Sequence, residues 1–283
     1  MSFQRIGAKE MFSSFIEELQ DYSPHPMREL EYIVMGIKSL PSRSLLYTTP
    51  VILQEGELDN IRKIIKLRKE GVPLQYLLGE VNFYGLEFKI KPGVFIPRPE
   101  TEILVDYIIN NYRRLEKPRI LEVGTGSGVI SICLTKFLPE SKIIATDISG
   151  KALKLARHNA ELHKVKIDFI QANLFDFLSS SVRFDLIISN PPYVGRREYN
   201  FLSPEVKAEP QEAVIGGEQG YEFTLRFITE ADKYIAEGGR LVVEIDYRAK
   251  DTYIKMLSEK YRLQFLPDFN SRERVMIVEK KYG

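Results

Sequence analysis

The residues of this chain best placed to do chemistry lie in FDLIISNPPYVG, residues 184–195. An apolar run with the character of a buried strand stops at Asn190, and Pro191, Pro192 and Tyr193 follow at once. Proline cannot donate to a sheet ladder, so the strand must end there. Asn190 offers a side-chain carbonyl acceptor, and Pro191 offers a backbone carbonyl with no competing N–H. Two such acceptors on a ring-locked backbone can grip a planar NH2 group, with Tyr193 lying against the π system that bears it. Such nitrogens are poor nucleophiles because their lone pair is delocalised. Acceptors on their hydrogens return electron density and aim the nitrogen at an electrophile, so positioning and electrostatics supply the rate. No base of matched pKa is then required, which suits a stretch without histidine. Asn-Pro and Pro-Pro are also ordinary loop signals, so this tip needs a partner site before it means anything.

That partner site is LEVGTGSGVI, residues 121–130. Gly124, Gly126 and Gly128, with Thr125 and Ser127 between them, separate a strand from a helix. Glycine lets the backbone turn sharply and approach a ligand closely, and the helix start favours an anionic group such as a carboxylate. The dinucleotide fingerprint would place a third glycine at 129, where this chain has Val129. Asp147 ends the next strand, and a carboxylate there can accept both hydroxyls of an unphosphorylated ribose; it can also cap the helix that starts near Ser149. The third strand ends in IQANLF, where Asn173 can accept from an adenine amino group and Leu174 can pack on the adenine face.

The elements that must hold these residues follow from the pattern. The first ~75 residues read as three helices. MFSSFIEELQ places Met11, Phe12, Phe15, Ile16 and Leu19 on one face; Pro26 opens a helix that Pro41 follows; and LDNIRKIIKLRKEG closes on Gly71. VNFYGLEFKIKPGVFIP reads as a hairpin or two short strands broken at Gly85 and Pro92-Gly93. From about Arg98, strands (RILEV, KIIATD, KIDFIQA, FDLIISN, RLVVEID, RVMIVEKK) alternate with helices, an α/β pattern with a mostly parallel sheet. The expected organisation is a helical substrate-recognition domain over 1–75, a β-hairpin linker over 76–97 and a ligand-binding domain over 98–283.

Composition narrows the class. The 283 residues are 44% apolar and 28% charged with net charge +1, and residues 1–75 carry ten basic and ten acidic side chains. Neither value suits a generic nucleic-acid binder, which needs clustered base. The basic run IRKIIKLRKE reads as a solvated helix face. One cysteine, Cys133, excludes an intrachain disulfide and a thiolate metal site, and it reads as a packed residue. Neither a signal-type apolar core nor a run of 18 apolar residues is present, so a cytoplasmic protein without metal is expected.

Taken together, the Gly124–Gly128 turn, Asp147 and NPPY resemble class I S-adenosylmethionine-dependent methyltransferases that act on planar nitrogens. PLQYLLGEVNFYG, FIPRPETEILV, EPQEAVIGGEQGYEFTLRFI and GGRLVVEID extend the resemblance over essentially the whole chain to the release factor glutamine N5-methyltransferases, the PrmC/HemK family. The resemblance implies a seven-stranded Rossmann-like sheet with an N-terminal helical bundle, and S-adenosylmethionine as cofactor. It implies methyl transfer, by direct in-line displacement, to the glutamine of a Gly-Gly-Gln loop in class I peptide release factors. Residue by residue, Gly124 to Gly128 would line the methionine moiety and Asp147 the ribose. Asn173 and Leu174 would flank adenine. Asn190 and Pro191 would hold the glutamine amide, with Pro192 and Tyr193 completing the tip.

Two positions depart from the family's usual pattern. Asn173 replaces a frequent acid and Glu122 a frequent aspartate; both keep an acceptor. FIPRPETE would either close over the cofactor or carry a structural Arg98–Glu100 ion pair, and the glycines of AVIGGEQG would gate a substrate channel. The rivals are a glutamine methyltransferase of a ribosomal protein, an adenine-N6 DNA methyltransferase using the same tip on a flipped base, and a non-catalytic binding module. A monomer with no stable nucleic-acid or membrane partner is expected.

Overall fold

The computed structural model describes residues 8–40, 44–48 and 51–281, with side chains from residue 13 onward. The side chains of the helix-face positions Met11 and Phe12, and the helix-stop Pro41, lie outside what is described. The chain divides into two units, Met1–Gly79 with Ser203–Ala208, and Glu80–Leu202 with Glu209–Gly283.

In the smaller unit, α1 (Ala8–Leu19), α2 (Pro26–Lys38) and α4 (Glu55–Lys69) enclose a core that includes Phe15, Leu19, Leu30, Ile33, Ile61 and Ile65. Short α3 (Leu45–Thr48), α5 (Leu74–Leu78) and α10 (Pro204–Lys207) complete it. Pro26 is the first residue of α2, where its missing N–H goes unmissed. A capping box between Gln54 and Glu57 starts α4, and basic residues in its last turn complement the helix dipole. Gly71 ends it at φ +85°, donating to the Arg68 carbonyl while Val72 donates to that of Leu67; a left-handed cap of this kind favours glycine. The run IRKIIKLRKE is not simply a solvated face, because Arg68 is buried. Its guanidinium pairs with Glu29, lies 2.9 Å from Glu205 and donates to the Val72 carbonyl. A buried charge persists only with such partners.

The larger unit begins with the hairpin β1 (Glu80–Phe83) and β2 (Leu86–Lys89). Its two-residue turn, Tyr84-Gly85, has φ of +51° and +72°, the hand that matches strand twist. Phe83 and Phe88 bury into the same core as α6 (Thr101–Tyr112) and α7 (Val129–Phe137). The seven-stranded sheet runs β10 (Tyr261–Pro267), β11 (Glu273–Lys280), β9 (Ile235–Glu244), β6 (Phe184–Ser189), β3 (Arg119–Val123), β4 (Lys142–Asp147), β5 (Asp168–Gln171). The strands from β9 to β5 pair in parallel, whereas β11 pairs antiparallel with both β9 and β10 and is the one strand of the sheet that runs in reverse.

Strand β6 shows why an unbroken apolar run fits here. Leu186 and Ile188 enter one core cluster while Phe184 and Ile187 enter the other, so both faces are covered. Helices α8 (Gly150–His163), α11 (Glu222–Ala231) and α12 (Lys250–Leu257) supply further cover. Between β6 and α11 run β7 (Val194–Gly195), α9 (Arg196–Tyr199) and β8 (Ile215–Gly217).

The strand order turns at β3, whose neighbours β4 and β6 leave in opposite directions. Open α/β sheets bind ligands beyond the carboxyl ends of the strands at such a switch point. The glycine turn follows β3 and Asn190 follows β6. The sequence pattern did not reveal the short pair β7 and β8 or, in the seven-stranded sheet, β10, although Tyr261, Leu263 and Phe265 alternate with Arg262 and Gln264. Among the described residues, no helix is long and apolar enough to cross a membrane, and no His/Cys/Asp/Glu cluster is arranged to hold a metal ion.

Candidate active site

A cavity of about 240 Å3 opens at the switch point. Its wall includes the carboxylates Glu122, Asp147 and Glu212, and among the described lining residues there is no Lys, Arg or His. This charge pattern rejects a pyrophosphate and accommodates a cation.

Gly124, Thr125, Gly126 and Ser127 line the cavity, with φ of +76° at Gly124 and +57° at Gly126. Gly128 is placed differently. It precedes α7 at φ +85°, and an added Cβ would come within 3.1 Å of the Ala156 Cβ. It is therefore a helix-packing glycine rather than part of the wall. Asp147 is held from two sides: Oδ2 accepts from the Gly126 N–H at 2.8 Å, and Oδ1 accepts from the Ser149 N–H at 2.8 Å. Helix α8 is capped by Ser149, whose hydroxyl accepts from the Ala152 N–H, so Asp147 is not used up as a cap. Burial, and Glu212 across the cavity, push the Asp147 pKa upward.

Glu122, the penultimate residue of β3, is buried. Its Oε2 accepts from the Thr125 hydroxyl at 2.8 Å and the Ser131 N–H at 3.1 Å, while Oε1 has no hydrogen-bond partner. A buried acceptor left open on a cavity wall is what a ligand donor would fill. At the β5 end, Asn173 and Leu174 both line the cavity, as does the exposed Ile148. Leu174 sits at φ +53°, a strained conformation for a leucine and of the kind that gathers at ligand sites.

The NPPY tip is braced from behind. Asn190 Nδ2 donates to Thr101 Oγ1 at 3.0 Å, and the Thr101 hydroxyl donates to Glu244 Oε2 at 2.6 Å. The Tyr193 hydroxyl donates to the other oxygen of Glu244 at 3.1 Å. Asn190, Pro191 and Pro192 line the cavity; Tyr193 does not, and its hydroxyl is spent on Glu244. The glycines of AVIGGEQG hold the backbone of the tip rather than an open channel. Val194 N–H donates to the Val214 carbonyl and β7 pairs with β8. At Gly216 a Cβ would fall 2.3 Å from the Pro192 carbonyl oxygen, and at Gly220 2.3 Å from that of Tyr193.

In FIPRPETE, Phe95, Pro97 and Thr101 reach the wall. Arg98 does not pair with Glu100. It pairs with buried Glu209, which also accepts from the Ile96 N–H at 2.8 Å, and it stacks over the Phe95 ring. Sequence reading missed Thr101, Glu209 and Glu244. The signal for Glu244 was present: an acid closing the buried run LVVE can survive there only with dedicated donors.

Burial raises the pKa of Glu122 and of Glu244 to about 7. A carboxyl with a higher pKa folded than unfolded holds more protons in the folded state between the two values, so it subtracts stability as pH climbs from about 4.5 to about 7. The melting temperature of the Glu122→Gln/Glu244→Gln protein should therefore gain on the wild type as pH rises through that window. Parallel melting profiles for the two proteins would contradict the assignment.

Comparison with known proteins matches both units. The family model described as PrmC N-terminal domain matches residues 10–79, and that described as Methyltransferase small domain matches residues 85–204. Release factor glutamine methyltransferase of Fusobacterium nucleatum is 38% identical over 277 residues, covering 96% of this chain and 78% of that one. Its counterpart in Koribacter versatilis is 34% identical over 275 residues, covering 96% and 98%. Among solved structures, a methyltransferase from Pyrococcus furiosus superposes with a TM-score of 0.53 at 17% identity, over 80% of this chain and 98% of that one, a likeness of fold. With relatives of this identity matched over 96% of its length and a family model on each unit, the chain belongs to the release factor glutamine methyltransferase family.

Proposed function

We propose that this protein transfers a methyl group from S-adenosylmethionine to the side-chain nitrogen of a glutamine, that of the Gly-Gly-Gln loop of class I peptide release factors. The observation that carries the reading is the pairing of an acid-lined, base-free cavity with a rigid two-carbonyl tip at the same switch point. S-adenosylmethionine is a cation without phosphate and supplies an electrophilic methyl on a sulfonium sulfur. The residues fit it. Glu122 Oε1 is an open acceptor for an ammonium group. Asp147 retains lone pairs for ribose hydroxyls beyond the two backbone N–H groups it already accepts. Leu174 and Ile148 offer apolar surface to a base, and Asn173 an acceptor.

The substrate end follows from the tip. Asn190 Oδ1 and the Pro191 carbonyl accept the two N–H bonds of the glutamine amide and fix the direction of its nitrogen. Both acceptors sit on backbone that proline and the β7–β8 pairing hold still, so little reorganisation remains when charge shifts. Pro192 and Phe95 help keep water from the site, which favours a transfer in which charge is dispersed.

The cofactor half has its own test. Asp147→Ala removes the carboxylate that ties Gly126 to Ser149, and S-adenosylmethionine should bind roughly 10- to 100-fold more weakly by calorimetry, the loss of one or two charge-assisted hydrogen bonds. Unchanged affinity would contradict the assignment. The substrate half is tested by competition. Labelled cofactor is offered with an equimolar mixture of release factor, ribosomal protein and DNA. Label is expected on the release factor alone, and label chiefly on DNA or ribosomal protein would overturn the reading.

A further inference from the structure

We infer that Thr101 and Glu244 are positioning residues that determine which end of the Asn190 amide faces the substrate. The inference rests on the reading of Asn190 as an acceptor for a substrate NH2.

An asparagine amide has nearly the same shape either way round, and only its neighbours decide whether oxygen or nitrogen faces the cavity. An ionised carboxylate has no proton to give, so Glu244 must accept from both groups that reach it, the hydroxyls of Thr101 and Tyr193. A threonine hydroxyl has one proton. Having donated it to Glu244, Thr101 presents only lone pairs to Asn190, and the amide end that meets Thr101 must be the NH2. The oxygen is thereby left for the cavity. Water does not compete for the relay: Thr101 and Glu244 are 2% and 1% exposed. They sit at the first residue of α6 and the last residue of β9, so each is anchored in regular structure.

The logic reverses if Glu244 takes up a proton. A neutral carboxyl must donate, either to Thr101 or to Tyr193. Donation to Thr101 releases the threonine proton toward Asn190, where it is best met by the amide oxygen, turning that oxygen away from the substrate. The charged and titratable groups around Glu244 are Tyr193 from the tip, Glu100 before α6 and Arg274 on β11, with Arg98 acting on Tyr193. Glu100 favours the protonated form and Arg274 the ionised one.

The test uses the full-length enzyme with purified release factor. Thr101→Val keeps the shape and removes the relay; Thr101→Ser keeps the hydroxyl. Turnover of Thr101→Val should fall roughly 10- to 100-fold, the scale of a lost orientation, with S-adenosylmethionine affinity and the KM for release factor unchanged, and Thr101→Ser should restore it. A folded Thr101→Val enzyme that turns over as fast as Thr101→Ser overturns the inference. If Thr101→Val does not fold, the pH profile decides. Wild-type kcat should decline on the acid side as Glu244 protonates, and Glu244→Gln, which cannot titrate, should lose that acid limb; an acid limb unchanged in Glu244→Gln overturns the inference. Wild-type enzyme that fails to label release factor would sink the functional reading instead, a result separable from these.

Discussion

Asn190→Ala should lower methyl transfer to release factor about 100- to 1,000-fold, the scale seen when one preorganised electrostatic partner of a reacting group is removed. Binding of S-adenosylmethionine should stay within about twofold, because affinity at this site is not where the amide acts. The variant deletes the one side-chain acceptor of the clamp and leaves the Pro191 carbonyl in place. A nitrogen held by a single acceptor can rotate about that bond, so both its electron density and its direction are lost. The deletion also frees Thr101, whose lone pairs then face a methyl group, but the Thr101–Glu244 bond survives. Transfer rates are read under saturating cofactor and release factor. A variant with near-normal turnover would show that the NH2 is oriented by something other than this tip.

The second large effect is expected from a residue that touches no ligand. Gly216→Ala puts a methyl group 2.3 Å from two backbone oxygens, those of Pro192 and Gly220, and 2.8 Å from the Pro192 carbonyl carbon. Backbone on both sides cannot step aside as a flexible side chain would, so either the tip or the β8 strand must move. A displacement of the tip by a fraction of an ångström misaims both carbonyls, and turnover should drop about 100-fold, with a loss of stability of about 1–3 kcal/mol from overpacking. Gly56→Ala is the matched control: it lies in α4, a Cβ there meets nothing within 4 Å, and it should leave transfer intact. Equal activity in the two variants would mean that the β7–β8 pairing is not the mount of the tip.

These two predictions differ in how visible their residues are in the sequence. Asn190 is legible because its chemistry is local: an acceptor, two prolines and a strand end are all adjacent in the chain. The glycine turn and Asp147 are legible because the β–α–β spacing fixes their relation. Thr101 and Glu244 are 143 positions apart, and nothing short of the β6–β9 and α6–β9 packing brings them to Asn190 and Tyr193. Tyr193 illustrates the same limit. An aromatic beside a planar substrate is a fair reading of NPPY, yet the ring is turned so that its hydroxyl serves a buried carboxylate. Spacing alone groups Gly128 with Gly124 and Gly126, yet its closest constraint is the packing of α8 against α7. For Arg98 the nearest acid along the chain is Glu100, whereas its partner, Glu209, comes from a loop that the fold brings back. Strand β10 was missed although its alternation is plain, because an edge strand with polar outward positions gives a weaker apolar signal than the buried strands beside it.

The account turns on two carbonyl oxygens holding one NH2, and the position of the methyl group tests that most directly. Release factor modified by the wild-type enzyme is digested and the methyl located by tandem mass spectrometry. It should lie on the side-chain nitrogen of the glutamine in the Gly-Gly-Gln loop, and a Gln→Ala loop variant should remain unmodified. A methyl found on a lysine, on a carboxylate or on the backbone, or retained in the Gln→Ala variant, would contradict the clamp.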